Sequence, residues 1–181
     1  MEWPLRVELS DGSTGVLQPM RRRDVWRAAA GLARLSREDV NLGVEHVNVG
    51  HVADRYLRTL NQPGYLYVLA EIEAQFAGLA SARPGRFGQK DRHVATLSLW
   101  VLPWAQGRRL GAWMMRALLA WCQETGYEKA ELEVFASNTR ARRLYEQLGF
   151  HVEVRQRRAI KLPGGRYTDN LIMGRFLRPP N

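Results

Sequence analysis

Two glycines and two arginines stand together in "QGRRLGAWM" (Gln106–Met114), directly after the apolar run "LSLWVLP" (Leu97–Pro103). An apolar run that stops at a proline and gives way to helical spacing reads as a strand-to-helix junction. A helix N-terminus there offers unpaired backbone N–H groups and the positive end of the macrodipole. Gly107 and Gly111 leave room for a phosphate to approach those donors, and Arg108 and Arg109 add positive charge beside them. The loop is not a Walker loop, because no Gly-Lys-Ser/Thr follows, and it lacks the three-glycine spacing of the dinucleotide fingerprint. These residues alone leave two readings open: an anion-binding turn, or a glycine at 111 that simply permits helix–strand packing. Two other reactive side chains draw less. His93 could relay protons, although a lone histidine more often serves structure. Cys122 sits in a helical pattern with no histidine nearby in sequence, which argues for packing rather than thiol chemistry.

The elements that must position this junction follow from periodicity. "PLRVEL" and "TGVLQPM", joined by "SDGS", predict an N-terminal hairpin, Asp-Gly being a turn signal between β-prone runs. From Asp24 to about Leu60 the pattern is helical, with a break around "NLGVEHVNVG". "GYLYVLAEI", "QFAGLASAR" and "HVATLSLWV" predict three successive strands, the last two separated by the charged loop "RPGRFGQKD". Leu110, Met114, Ala117, Leu118 and Trp121 then fall on one face of a helix predicted over 108–124, with Gly126 placed to end it. "KAELEVFA" alternates as a strand. Asn138 is a suitable N-cap for a second helix whose Ala141, Leu144, Tyr145 and Leu148 share a face, and Gly149 closes it. "FHVEVRQRRAI", a turn at "LPGG" and "DNLIMGRFL" supply two final strands. A meander is antiparallel and strands joined through helices tend to be parallel, so the chain predicts a mixed α/β sheet.

Composition narrows the partners. At 181 residues the chain is expected to form one domain (1–181), without linkers or repeats. No apolar run approaches the roughly 20 residues needed to span a bilayer, and "MEWPLRVEL" lacks the basic and long apolar segments of a signal peptide. One cysteine excludes an intramolecular disulfide and a multi-cysteine zinc site, so no metal and a cytoplasmic location are expected. The net charge of +9 asks for an anionic partner. The arginines are scattered, however, and no helix-turn-helix or zinc signature accompanies them, so nucleic-acid binding is not expected as the main activity.

With these elements in place, "VLPWAQGRRLGAWMMRALLAWC" resembles the acetyl-CoA-binding motif of the GCN5-related N-acetyltransferases (GNAT): a strand ending near Val-x-Pro, then Gln/Arg-x-x-Gly-x-Gly/Ala, then a helix. Gln106 and Gly111 match its ends, and Arg109 replaces its middle glycine. "LEVFASNTRARRLYEQLGF" (132–150) resembles the family's closing motif, and "GGRYTDNLIMGRF" resembles the ending of its small-molecule and amino-acid members. The resemblance spans roughly Ala95–Phe150. It implies a mixed, mostly antiparallel sheet with helices on both faces and a splayed parallel strand pair that holds acetyl-CoA. It also implies that backbone groups of Leu99, Trp100 and Val101 pair with pantetheine, and that the loop from Gln106 through the amides of Gly107, Arg108, Arg109, Leu110, Gly111 and Ala112 takes the pyrophosphate. Arg109 is then expected to be helical, with its charge near the phosphates; a positive φ there counts against the reading.

The chemistry implied is attack of an amine on a thioester. It needs a neutral amine, a polarised carbonyl and a proton donor for the departing thiolate. By resemblance Tyr145 is the acid and Asn138 lies near the pantetheine, although capping alone would also explain an asparagine there. Glu133, five residues before Asn138 in "LEVFASN", matches the base of ribosomal-protein alanine N-acetyltransferases, but Glu131 shares its face. The expected activity is direct acetyl transfer to a primary amine of a small molecule or amino acid. A protein N-terminus is one alternative acceptor, and a non-catalytic acyl-CoA-binding domain is another reading of the same fold. The acceptor surface is expected from about 24–60 and 84–92, and homodimerisation follows from family analogy.

Overall fold

The computed structural model describes residues 1–178. The N-terminal hairpin forms as predicted, from β1 (Leu5–Glu8) and β2 (Thr14–Pro19), and leads into α1 (Val25–Glu38) and α2 (Val49–Thr59). The meander follows as β3 (Leu66–Ile72), β4 (Gln75–Pro84) and β5 (Val94–Val101). Then come α3 (Leu110–Thr125), β6 (Lys129–Phe135), α4 (Thr139–Gln147), β7 (His151–Lys161) and β8 (Tyr167–Phe176). All eight strands join one sheet in the order β1-β2-β3-β4-β5-β6-β8-β7, antiparallel throughout except for β5 and β6.

Each face of the sheet carries its own apolar cluster. On one side α3 and α4 pack Leu110, Met114, Leu118, Tyr145 and Phe150 against Val68, Ala80, Leu97 and Leu132. On the other, α1 and α2 pack Val25, Leu32, Val52 and Tyr56 against Leu69, Leu79 and Trp100. Burial on both faces explains why β3 reads as a nearly continuous apolar run rather than an alternation. The second layer stops short of β6 and β8. There Glu131 and Glu133 alternate with buried Ala130, Leu132 and Val134 and face outward on the side of α1 and α2.

Two glycines fix how closely the layers approach. A Cβ on Gly78 would lie 2.5 Å from the Trp100 carbonyl oxygen, so β4 and β5 meet closely at the end of β5. A Cβ on Gly31 in α1 would lie 2.7 Å from Phe76, which packs edge-on against Trp100 at 5.5 Å between ring centroids. The Trp100 end of β5 is thereby clamped from the α1 side.

On its other flank β5 is not clamped. It pairs with β6 only through Val94↔Lys129, Ala95↔Ala130 and Thr96↔Glu131. Beyond Thr96 the two strands separate, while β5 continues to Val101 beside β4 and β6 continues to Phe135 beside β8. The result is a wedge-shaped gap in the middle of the sheet, open toward the N-termini of α3 and α4.

Candidate active site

Leu99, Trp100 and Val101 form the β5 wall of the gap. Leu99 and Val101 turn toward α3, where a Cβ on Gly111 would meet Leu99 at 3.2 Å and Val101 at 3.9 Å. Gly111 therefore does serve helix–strand packing, and the two readings of it coexist. The Trp100 side chain is buried on the opposite face and its backbone turns toward Leu79 of β4, in step with the Leu102 N–H that donates to Ala77, so the expectation that Trp100 offers backbone groups to the gap is not met; those of Leu99 and Val101 face it. The carbonyl of Val101 is already engaged: the Gln106 side chain donates to it at 2.9 Å, and Arg140 of α4 donates to the Gln106 amide oxygen at 2.9 Å. Gln106 thus ties the end of β5 to α4 across the mouth of the gap.

The loop that follows differs from expectation at Arg109. Its backbone is left-handed, φ 64 and ψ 7, not helical, and α3 starts only at Leu110 instead of 108. An L-residue gives up about 1–2 kcal/mol in that region. The cause is visible in the turn: Gly107 is also left-handed, at φ 86, and Arg108 between them is not. Such alternation turns successive N–H groups to one side of the chain, forming the concave nest that suits anions. The position needs the conformation a third glycine would take, and arginine adopts it under strain. The helical backbone expected at Arg109 is not found, and its positive φ is the feature that counted against the phosphate reading. Among the described residues, the amides of Gly107, Arg108, Arg109, Leu110 and Gly111 have no backbone acceptor, and α3 has no side-chain cap. Ala112 is the exception, since its N–H donates to the Arg109 carbonyl at 3.1 Å. The loop is braced from outside by the β1–β2 turn: Ser10 N–H donates to the Arg108 carbonyl at 3.2 Å, and Asp11 pairs with Arg108. The Arg108 guanidinium also lies over Trp104. Sequence reasoning gave no hint of this brace.

Tyr145 and Glu133 lie on opposite faces of the sheet. Tyr145 is 7% exposed, with its ring against Phe150, and burial pushes its phenol up to about 12. Its hydroxyl has no hydrogen-bond partner among the described residues. Glu133 projects on the α1–α2 side, one pleat beyond the last β5–β6 pair, and is about half exposed. Asn170 donates to its Oε2 at 3.1 Å, and Arg86 to its Oε1 at 3.1 Å. Glu131 differs from it by lying at the closed part of the pair, near Lys129. Asn138 caps α4, accepting from Ala141 N–H at 3.1 Å, so its capping role is realised. His93 is at the far, closed end of β5, about seven residues or roughly 23 Å along the strand from Trp100. Cys122 is fully buried, and burial pushes its thiol up to about 12, as befits a packing role.

Over the mouth of the gap lies a cleft of about 400 Å³, between the end of α1 (Leu35 to Asn41) and the loops carrying Gln106 and Asn138. The Ser137 hydroxyl donates to Asn41 at 3.1 Å and holds the α1–α2 connection across it. Asn170, Arg86 and Ser137 escaped the sequence reading. Alternation can place Glu133 on a face, but it cannot give the register that brings β8 or the β4–β5 loop beside it.

The strand pair opens onto an uncapped turn of the kind that suits anions. The chain matches the acetyltransferase (GNAT) family model over residues 31–150 and belongs to that family. Its fold is similar to that of solved members. These include a GNAT-family acetyltransferase from Streptococcus pneumoniae (20% identity, 90% of this chain and 99% of that one, TM-score 0.81). They also include a ribosomal-protein-alanine N-acetyltransferase from Brucella melitensis (22%, 88% and 98%, 0.79). A third is a phosphinothricin acetyltransferase from Sinorhizobium meliloti in complex with acetyl-CoA (21%, 90% and 88%, 0.82). A comparison with curated protein sequences finds no match. No helix among the described residues is long and apolar enough to cross a membrane.

Proposed function

We propose that this acetyltransferase moves the acetyl group of acetyl-CoA directly onto the primary amine of a small molecule or amino acid, in a ternary complex. The observation that carries the reading is the parting of β5 from β6 after Thr96, next to a turn whose amides have no backbone acceptor among the described residues. The amides of Gly107 to Gly111 hold the pyrophosphate, helped by Arg108 and Arg109. Leu99 offers its backbone N–H and carbonyl, and Val101 its N–H, to the pantetheine arm. The Sinorhizobium relative, solved with acetyl-CoA, supports the same ligand here.

Glu133 accepts a proton from the incoming ammonium, directly or through water, and leaves a neutral amine. The amine attacks the thioester carbonyl, and as the C–N bond forms and the C–S bond breaks the nitrogen releases its second proton to solvent, leaving the amide. Tyr145 supplies a proton to the departing sulfur and regains one from solvent. Its raised pKa keeps the phenol protonated throughout the neutral range, as an acid requires. Having the base on one face and the acid on the other lets attack and departure proceed on opposite sides of the carbonyl.

A protein N-terminus is the second acceptor considered. It is favoured by the position of Glu133 five residues before Asn138 and by the Brucella relative's name. We extend the proposal to one catalytic domain over 1–181, supported by the single sheet through all eight strands. It further includes a homodimer, supported by the exposed Val152 and Val154 at the β7 end of that sheet. A cytoplasmic location belongs to it as well, supported by a single, free cysteine.

The test is thiol release from acetyl-CoA over a panel of amino acids, polyamines, aminoglycosides and short peptides. Tyr145→Phe should keep acetyl-CoA affinity and lower kcat about 10²- to 10³-fold. Full turnover by that variant would remove Tyr145 from the mechanism. Binding of acetyl-CoA without turnover of any amine would leave a non-catalytic acyl-CoA domain.

A further inference from the structure

We propose that Arg86 selects acceptors bearing a carboxylate beside their amine, by giving up its place on Glu133 to the incoming ammonium and pairing with that carboxylate. The inference rests on the reading of Glu133 as the base. The two oxygens of Glu133 are held very differently. Oε2 accepts from Asn170, a buried amide whose Nδ2 also donates to Gln156 at 2.9 Å. That contact is built into the β6–β8–β7 sheet and fixes the carboxylate's direction. Among the described residues Oε1 accepts only from Arg86, whose side chain is 57% exposed and sits on the β4–β5 loop. One oxygen is anchored and the other is held by a solvated, movable cation.

The Arg86 guanidinium therefore stands where the acceptor's ammonium must come to be deprotonated. Two cations brought to that oxygen repel each other, and exchange leaves Arg86 next to a like charge unless it finds an anion. An acceptor carrying only an amine provides none. An α-amino acid provides a carboxylate on the adjacent carbon, so that Glu133, ammonium, carboxylate and Arg86 alternate in sign. Planar pairing with a carboxylate is what a guanidinium does best.

A second arginine reinforces the field. Arg83 lies in one cross-strand row with Thr96 and Glu131, one pleat from Glu133, and is exposed with no acidic partner among the described residues. Two strand spacings, roughly 10 Å, separate its backbone from that of Glu131. Its side chain thus faces the same open polar surface as Arg86. Both arginines disfavour polyamines and other purely cationic acceptors. They also separate the two acceptors considered above, because a peptide N-terminus carries a neutral amide where a free amino acid carries its carboxylate.

The experiment measures kcat and KM for α-amino acids, their carboxamides and the corresponding amines lacking the carboxyl group, with wild type, Arg86→Gln and Arg86→Lys. Calorimetric acetyl-CoA affinity monitors the integrity of each variant. Wild type should favour the acid over its carboxamide by about tenfold or more in kcat/KM. Arg86→Gln should raise KM for the acid about tenfold while leaving or lowering KM for the carboxamide, and Arg86→Lys should retain part of the preference. An acid-to-amide ratio unchanged by Arg86→Gln overturns the proposal, as does a wild-type preference for amides or peptides. If acetyl-CoA binds and no amine is acetylated, the catalytic reading falls first and this one with it.

Discussion

Replacing Arg109 by glycine should make the protein more stable and bind acetyl-CoA less well. The left-handed backbone at φ 64 costs an L-residue about 1–2 kcal/mol. Glycine escapes that cost but loses about 0.5–1 kcal/mol more through the freedom of its unfolded chain. The net gain is about 0.5–1 kcal/mol, which for a chain of this size raises Tm by roughly 1–4 °C. Arg109→Ala isolates the backbone contribution, because it removes the charge and keeps the Cβ. It should melt near wild type, roughly 1–4 °C below the glycine variant, and a β-branched valine should melt lower still. Both neutral variants should weaken acetyl-CoA binding by about two- to tenfold through loss of one positive charge at the phosphates, an effect that shrinks as salt is raised. Thermal melts of the ligand-free variants and calorimetric titrations measure the two effects separately. A glycine variant that melts at or below the alanine variant would refute the strain argument. Unchanged affinity in both would remove the Arg109 charge from the phosphate site.

Two further outcomes follow from the packing. Gly78→Ala places a Cβ 2.5 Å from the Trp100 carbonyl and 3.0 Å from Val101 Cα, so it should cost on the order of 2–3 kcal/mol in denaturant unfolding and weaken cofactor binding by displacing β5. A variant as stable as wild type would contradict the close approach of β4 and β5. Burial pushes the Tyr56, Tyr127 and Tyr145 phenols up to about 12 from 10. Above pH 10 the unfolded chain releases these protons while the folded chain retains them, so stability should fall between about pH 10 and 12. Tyr145→Phe should make that fall shallower in pH-dependent melts, and an unaltered slope would count against its burial.

The sequence carried the elements well, because each was marked by a local device. Asp-Gly made the first hairpin, Gly126 at φ 97 stopped α3, and Asn138 capped α4. Tyr145 and Glu133 could be singled out because motif and alternation both depend on short spacings. Arg109 shows the limit of that reasoning. Helical periodicity ran on smoothly through 108–110, yet the dihedrals were set by the turn from Gly107 and by Ser10 gripping the Arg108 carbonyl, a contact 98 residues away in sequence. The same holds for Asn170 and Arg86, which reach Glu133 over separations of 37 and 47 residues. Nothing in the spacing of an asparagine on β8 reveals which strand it will lie beside.

The parting of β5 from β6 after Thr96 has one more consequence. It leaves backbone donors and acceptors exposed to water along the flank of a strand that lies in the middle of the sheet, where such groups are normally sequestered. Deuterium uptake should therefore be fast along a narrow stripe at the molecule's centre while the strands on either side stay protected. An amide-bearing chain sliding into the wedge completes the ladder as an additional strand would, and uptake along the stripe should slow. On the proposed reading part of the sheet is finished by what the protein binds, so occupancy should be measurable in the backbone itself, independently of whether any acetyl group is transferred.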